Sequence, residues 1–407
     1  STRKYYSTKN SVKNVLDKTP IIGKGIGKAV KGTKQLLKYA IYHSNLFEDL
    51  GFKYLGPIDG HNLDELTEAL MVAKMMQRPC LVHIYTKKGK GYAPAEDNSG
   101  EYHGLPPKKD DDNNCKGECF TDAFGKALLS FADKDNSIYA VTAAMKYGTG
   151  LQHFYKAFPE RFFDVGIAEQ HAVTFSAGLA SQGKLPVFAV YSSFLQRSYD
   201  QLIHDCAIEK RHIVLGIDRA GFVGEDGETH HGLFDVAMLT TVPGVTVYSP
   251  SDTAELSQCL EQALYKDKGV VAVRYPRGCE LYRSGTKAYS DFRHVSNKSR
   301  KLIFTYGRIS AYAYTVHGVD VLQAIKIFPI SDEIINICLA YDEIYAFEEG
   351  EREGGIAQKL CAALALAGFK GRFAITAVDG FVRHADVATQ LHNAMLDADG
   401  MRKITGE

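Results

Sequence analysis

Six uninterrupted apolar runs between residues 137 and 276 constrain this chain most. They are SIYAVTAAM, FFDVGIA, PVFAVYS, HIVLGID, VTVYSPS and VVAVRYP. None alternates apolar with polar residues, as a strand with one wet face would. Each therefore reads as a strand covered on both faces. The segments between them, such as SYDQLIHDCAIEK and TAELSQCLEQALY, carry helical spacing. Strands buried on both sides and joined by helices imply an α/β fold with a parallel sheet. In such sheets ligands lie beyond the carboxyl ends of the strands. The residues to examine are thus the polar ones that follow each run: Met145-Lys146, Glu169-Gln170-His171, Tyr191 to Phe194, Asp218-Arg219, Ser249 to Asp252 and Arg274 to Arg277.

A chain of 407 residues is too long for one ordinary core. Three zones emerge, 1–118, 119–293 and 294–407. In the first, a basic stretch over 11–43 with Lys24, Lys28, Lys31, Lys34 and Lys38 reads as a solvated helix face. GFKYLGPIDG reads as a strand and turn, and NLDELTEALMVAKMM as a helix with Asn62 at its N-cap. PCLVHIYTKKGKGY reads as a second strand, and residues 93–118 have the composition of a linker. The last zone repeats the α/β style through KLIFTYG, VDVLQAIKI, EIYAFEEG and FAITAVDG.

Composition removes several function classes. The 48 Lys and Arg balance 48 Asp and Glu, which argues for neither a nucleic-acid nor a membrane-surface partner. No apolar run reaches the length of a membrane span. Eight cysteines form no C-x-x-C pair, so free thiols are expected rather than a zinc site.

Four stretches concentrate chemistry. Glu169 stands where a strand hands over to a helix, where free N–H groups alone can hold a carboxylate. A carboxylate in a crevice can also share a proton with a ligand nitrogen. Around Tyr191, Phe194 and Arg197, an aromatic ring can pack in the core or stack on a planar ring. Arg197 has Asp200 and Asp205 as local partners, or an anion. The loop IDRAGFVGEDGETHHG brings Arg219, Asp226, His230 and His231 together among glycines that permit close approach to a ligand. RYPRG sets Arg274 and Arg277 beside a turn, suited to phosphate or to surface ion pairs.

These stretches also resemble a known family. GPIDGHN, KGKGYAPAE, DVGIAEQHAVTFSAGLA, YSSFLQRSYDQLIHD, GIDRAGFVGEDGETHHG, YSPSD and RYPRG run in the order found in the 1-deoxy-D-xylulose-5-phosphate synthases. Those are thiamine-diphosphate enzymes of the transketolase superfamily. TYGRIS, EEGEREGGIA and FVRHADV match more loosely. The resemblance implies a multidomain transketolase-like fold: a partial diphosphate-side domain over 1–118, a pyrimidine-binding domain over 119–293 and a C-terminal domain over 294–407. It implies condensation of pyruvate with D-glyceraldehyde 3-phosphate and loss of CO2. It casts Glu169 as the carboxylate against the cofactor pyrimidine, with Phe194 packed on that ring and Tyr191 and Arg197 nearby. Arg219, Asp226 and His230 fall by the substrate, joined there by Tyr191. Arg277 becomes the triose-phosphate clamp, and His103 of EYHG a linker histidine brought to the crevice. A homodimer, in the bacterial cytoplasm or a plastid, is the family expectation.

The sequence departs from the family in one important respect. The GDG motif with a following Asn, which carries Mg²⁺ in the family, does not occur, so no metal ligand is assigned. The expectation is a form lacking the first part of the cofactor-holding domain. Two other functions fit the same residues: another transketolase-type enzyme with a ketose phosphate donor, and an inactive remnant serving as an interaction module.

Overall fold

The computed structural model describes residues 46–103, 117–282, 285 and 288–407. The basic stretch over 11–43 lies outside them. The chain forms two compact units, residues 1–105 and 106–407.

In the first unit, strands β1 (Lys53–Asp59) and β2 (Cys80–Tyr85) pair in parallel and are joined by helix α1 (Leu63–Met75). Asn62 caps α1 by accepting the Glu65 N–H at 3.2 Å, as its position predicts. The expected linker is partly helical: Ala93–Asp97 is a short helix opened by Pro94, and Glu101–His103 a 3₁₀ turn. Proline near the first position of a helix loses no hydrogen bond, so a Pro-containing stretch starts a helix as readily as it makes a linker. His103 contacts Lys88 in this unit.

The second unit holds two sheets. The larger uses β3 (Ile138–Thr142), β4 (Phe162–Asp164), β5 (Leu185–Tyr191), β6 (Ile213–Asp218), β7 (Thr246–Tyr248), β8 (Val270–Arg274) and β12 (Lys326–Phe328). Their order is β12-β7-β8-β6-β5-β3-β4. The smaller is ordered β14-β13-β10-β11-β9, from β9 (Phe292–Val295), β10 (Lys301–Tyr306), β11 (Asp320–Ala324), β13 (Glu343–Glu351) and β14 (Arg372–Val378). All pairings in both sheets are parallel except those of β12 with β7 and β9 with β11.

All six expected runs of the middle zone are strands, because both faces of this sheet are covered. In β5, Val187 and Ala189 point into one apolar cluster, and Phe188 and Val190 into the other. Helices α2 (Phe120–Lys134) and α4 (Thr253–Tyr265) close the first face. Helix α3 (Glu169–Ser181) lines the second, whose cluster runs on into the smaller sheet through Leu302, Phe304 and Ile344. Gly216 in β6 shows how tight the cover is, since a Cβ there would meet the Phe124 ring at 2.4 Å.

The segment VDVLQAIKI divides where one strand is expected. β11 joins the smaller sheet, the chain turns at Ile325, and β12 pairs with β7 of the larger. Residues 199–207 are less regular than an α-helix: one turn at Tyr199–Gln201 continues as a π-helix over Leu202–Ala207. Among the described residues no helix is long and apolar enough to cross a membrane. Cys279 is held in a disulfide, against the expectation of free thiols throughout, and Cys119 Sγ makes a separate hydrogen-bond contact with its sulfur at 2.7 Å.

Candidate active site

The strand order sets the location. From β3 the chain moves to β4 on one side, and from β5 to β6 on the other, so the connections diverge between β3 and β5. A crevice opens beyond the strand ends at such a point. Tyr191 closes β5, and Glu169, Phe194, Arg219, Asp226, His230 and Arg277 all follow strands of this sheet.

Glu169 is the first residue of α3 and is 2% exposed. Arg197 Nη1 donates to its Oε1 at 2.6 Å. This differs from the local pairing expected for Arg197. Asp205 instead accepts from the Thr174 hydroxyl at 2.5 Å, and Asp200 faces His204. The chain turns twice after β5, through Ser192–Leu195 and Gln196–Ser198, which swings Arg197 back over the start of α3.

The aromatic residues form a continuous surface. The Arg197 guanidinium lies 4.7 Å from the Phe194 ring centre. Phe194 stacks on Tyr191 at 5.7 Å and meets His230 edge-on at 5.3 Å. Arg219 covers the other end, 4.2 Å from the Tyr191 ring.

Arg219 has φ +61, a left-handed conformation that a non-glycine residue rarely adopts. Its Nη1 donates to Asp218 Oδ1 at 2.8 Å and to the Gly148 carbonyl at 2.5 Å. Asp218 is fully buried, and Thr121 Oγ1 donates to its other oxygen at 2.7 Å. Burial pushes the Asp218 carboxyl up, against the pull of Arg219 and these hydrogen bonds. For Arg219 burial pulls the other way, and the Asp218 charge leaves the guanidinium above its ordinary value. Thr121 and Gly148 lie in segments that carried no motif, so sequence reasoning missed them.

Arg277 Nη1 donates to Asp226 Oδ1 at 3.0 Å and to the Val223 carbonyl at 3.0 Å. Arg274, three residues earlier, is no anion ligand. It is 3% exposed, and its Nε donates to Asp235 Oδ2 at 2.9 Å. A strand residue inside a covered sheet has no route to solvent, whereas Arg277 lies past the strand end. His231 also turns inward: its Nδ1 accepts the Val223 N–H at 3.2 Å, and burial lowers its pKa. His103 belongs to the other unit.

The chemistry of this surface suits a flat, partly charged ligand. Ser192 Oγ and Ser193 Oγ are buried without a partner, beside Phe194. Among the described residues no group of three or more His, Cys, Asp or Glu could hold a metal ion.

Comparison with known proteins identifies the family. Residues 119–280, which carry the crevice, match the family model of the transketolase pyrimidine binding domain. Residues 1–86 match the model of 1-deoxy-D-xylulose-5-phosphate synthase. The synthase of Natranaerobius thermophilus is 39% identical over 440 residues, 99% of this chain and 68% of the relative. That of Clostridium kluyveri is 46% identical over 346 residues, 82% of this chain and 54% of the relative. A solved structure described as a split gene transketolase, inactive beta4 tetramer, shares the fold at TM-score 0.62 and 23% identity, covering 70% of this chain and 96% of its own. The fold is that of the transketolase class. Within that class, the chain belongs to the 1-deoxy-D-xylulose-5-phosphate synthase family, and it spans 54% to 68% of the length of these two relatives.

Proposed function

We propose that this chain carries the pyrimidine-side half of a 1-deoxy-D-xylulose-5-phosphate synthase site, joining pyruvate to D-glyceraldehyde 3-phosphate with loss of CO2. One observation carries the reading. A buried carboxylate, an aromatic surface and an arginine-lined end succeed one another along one crevice. The family membership supports it.

Thiamine diphosphate, when bound, supplies the nucleophilic carbon and the electron sink for decarboxylation. Glu169 hydrogen-bonds the pyrimidine and holds a proton at that ring. Phe194 packs on the pyrimidine face, Ser192 and Ser193 offer hydroxyls beside it, and Arg197 balances the Glu169 charge. Arg219 and Tyr191 bound the substrate space. Asp226 and His230 face it as acid/base or hydrogen-bonding groups. Arg277 exchanges its Asp226 contact for the triose phosphate.

Mg²⁺ belongs to the diphosphate end, and no residue here is assigned to it. The division into domains at 118 and 293, the homodimer, a contribution from His103, and a cytoplasmic or plastid location are parts of the same reading.

The test is turnover with thiamine diphosphate and Mg²⁺, offering pyruvate and D-glyceraldehyde 3-phosphate in one arm and xylulose 5-phosphate as donor in the other. Pyruvate-dependent release of CO2 and product, lost in Glu169→Gln, is expected. Turnover of the ketose alone would make the chain another transketolase-type enzyme. No turnover and no cofactor binding, even with the remaining segment of a relative supplied, would make it an interaction module.

The likeness to the split-gene structure favours a second reading, in which turnover needs a complementary chain. That structure's description reports an inactive tetramer. Calorimetric titration of thiamine diphosphate with Mg²⁺ into the 407-residue chain separates the two. Tight binding overturns the need for a complement.

A further inference from the structure

Both backbone polar groups of one residue, Phe222, are bound by a single ion pair from the smaller sheet. Arg308 lies in the 3₁₀ turn Gly307–Ile309 beyond β10, and Glu349 near the end of β13. The two strands are parallel neighbours, with Thr305 opposite Phe347. Arg308 Nε donates to Glu349 Oε2 at 2.9 Å, and its Nη2 to Oε1. Both residues are 5% exposed. A buried pair of this kind is tolerated only when its remaining donors and acceptors are met.

Those groups reach out of their own sheet. The Phe222 N–H donates to Glu349 Oε1 at 2.7 Å, and Arg308 Nη2 donates to the Phe222 carbonyl at 2.9 Å. Arg308 Nη1 donates to the Arg277 carbonyl at 3.3 Å. One ion pair thus grips the loop that carries Asp226 and His230 and also the turn that carries Arg277. Gly221, at φ +86, makes the approach possible, because a Cβ there would stand 2.3 Å from Glu349 Oε1. Neighbouring loop amides are anchored locally: Ala220 to the Tyr275 carbonyl at 3.0 Å, Gly221 to Gly232 at 2.8 Å, and Val223 to His231. Of these four, the Phe222 amide is the one tied to the other sheet.

We propose that Arg308 and Glu349 are positioning residues for the triose-phosphate end of the crevice. The pair fixes the separation between the Asp226–His230 loop and the Arg277 turn. The inference rests on the reaction proposed above only in naming the phosphate; the grip on the loop is independent of it.

The test uses Arg308→Lys, which keeps the charge but lacks the planar fork needed to hold Glu349 and two carbonyls together. A double variant, Arg308→Met with Glu349→Met, removes both charges and serves where the single variant does not fold. Amide hydrogen exchange on the 407-residue chain should be about tenfold or more faster at Phe222 and Val223, with the β5 and β6 amides unchanged. The KM for D-glyceraldehyde 3-phosphate should rise about tenfold, with the KM for pyruvate unmoved. A merely structural ion pair would lower the melting temperature without either selective change. Wild-type exchange at Phe222 in the variant that folds would overturn the proposal. Faster exchange in a chain that never turns over triose phosphate, even with the remaining segment of a relative supplied, would sustain the grip and remove the proposed reaction instead.

Discussion

Arg197 and Glu169, 28 positions apart, are joined by a 2.6 Å hydrogen-bonded ion pair with one partner buried and the other 43% exposed. A carboxylate withdrawn from water needs a counter-charge. Here the counter-charge comes from a side chain that stays partly in water, and it takes up one of the two carboxylate oxygens of Glu169. Because Arg197 remains hydrated, removing the Glu169 charge does not strand a buried cation.

Glu169→Gln should therefore fold as the wild type does while losing turnover. The amide cannot hold a proton for the ligand, and the loss should be about 10²- to 10⁴-fold in kcat. Circular dichroism and steady-state rates measured on the same preparation check it. A wild-type rate would remove Glu169 from the role proposed.

Arg277→Ala should act on binding. The lost charge-assisted hydrogen bonds contribute about 1.5–3 kcal/mol, so the KM for the triose phosphate should rise about 10- to 150-fold. Its melting temperature should change little, because Arg277 is partly exposed and paired at the surface.

Arg274→Ala, in the same pentapeptide, should behave in the opposite way. It strands Asp235 in the core beside Ser249, and breaking such a pair costs about 3–5 kcal/mol. Thermal unfolding of the two variants side by side is decisive, and equal melting temperatures would contradict the geometry.

His231 predicts a pH dependence. Burial holds its folded pKa below the ordinary value of 6.5, although the Glu228 and Glu349 charges pull it upward. The unfolded chain then binds the proton first as pH falls, so stability declines below about 6.5 and levels off beneath the folded pKa. His231→Asn should flatten that part of the stability curve, measured by urea unfolding between pH 7.5 and 5.5.

Much of this was legible in the residues. Strands β3 and β5 to β8 announce themselves because both of their faces are covered and their runs stay apolar, whereas β4, at the sheet edge, shows only as Phe162 and Phe163 before the exposed Asp164. β9 does not, since Phe292–Val295 is a half-exposed edge strand with Arg293 and His294 in its middle. The Glu169, Arg219 and Arg277 positions follow from strand ends and motif. Their partners do not, because Arg197 has nearer acids in sequence, and only the turn after β5 shows which one it reaches. Arg308 and Glu349 stood inside TYGRIS and EEGEREGGIA as marks of family likeness. Their contact with Phe222 depends on how two sheets meet, which no local pattern encodes.

Strand β12 leaves the last third of the chain to pair, antiparallel, with β7, setting Lys326 against Tyr248 and Phe328 against Val247. Lys326 adds an ion pair to Asp267 at 3.2 Å. The C-terminal portion is therefore not an interchangeable cassette. A chimera that grafts the corresponding portion of a relative onto this chain also replaces the edge of the recipient's larger sheet, and cutting the chain near residue 293 bares β7 as a template for aggregation.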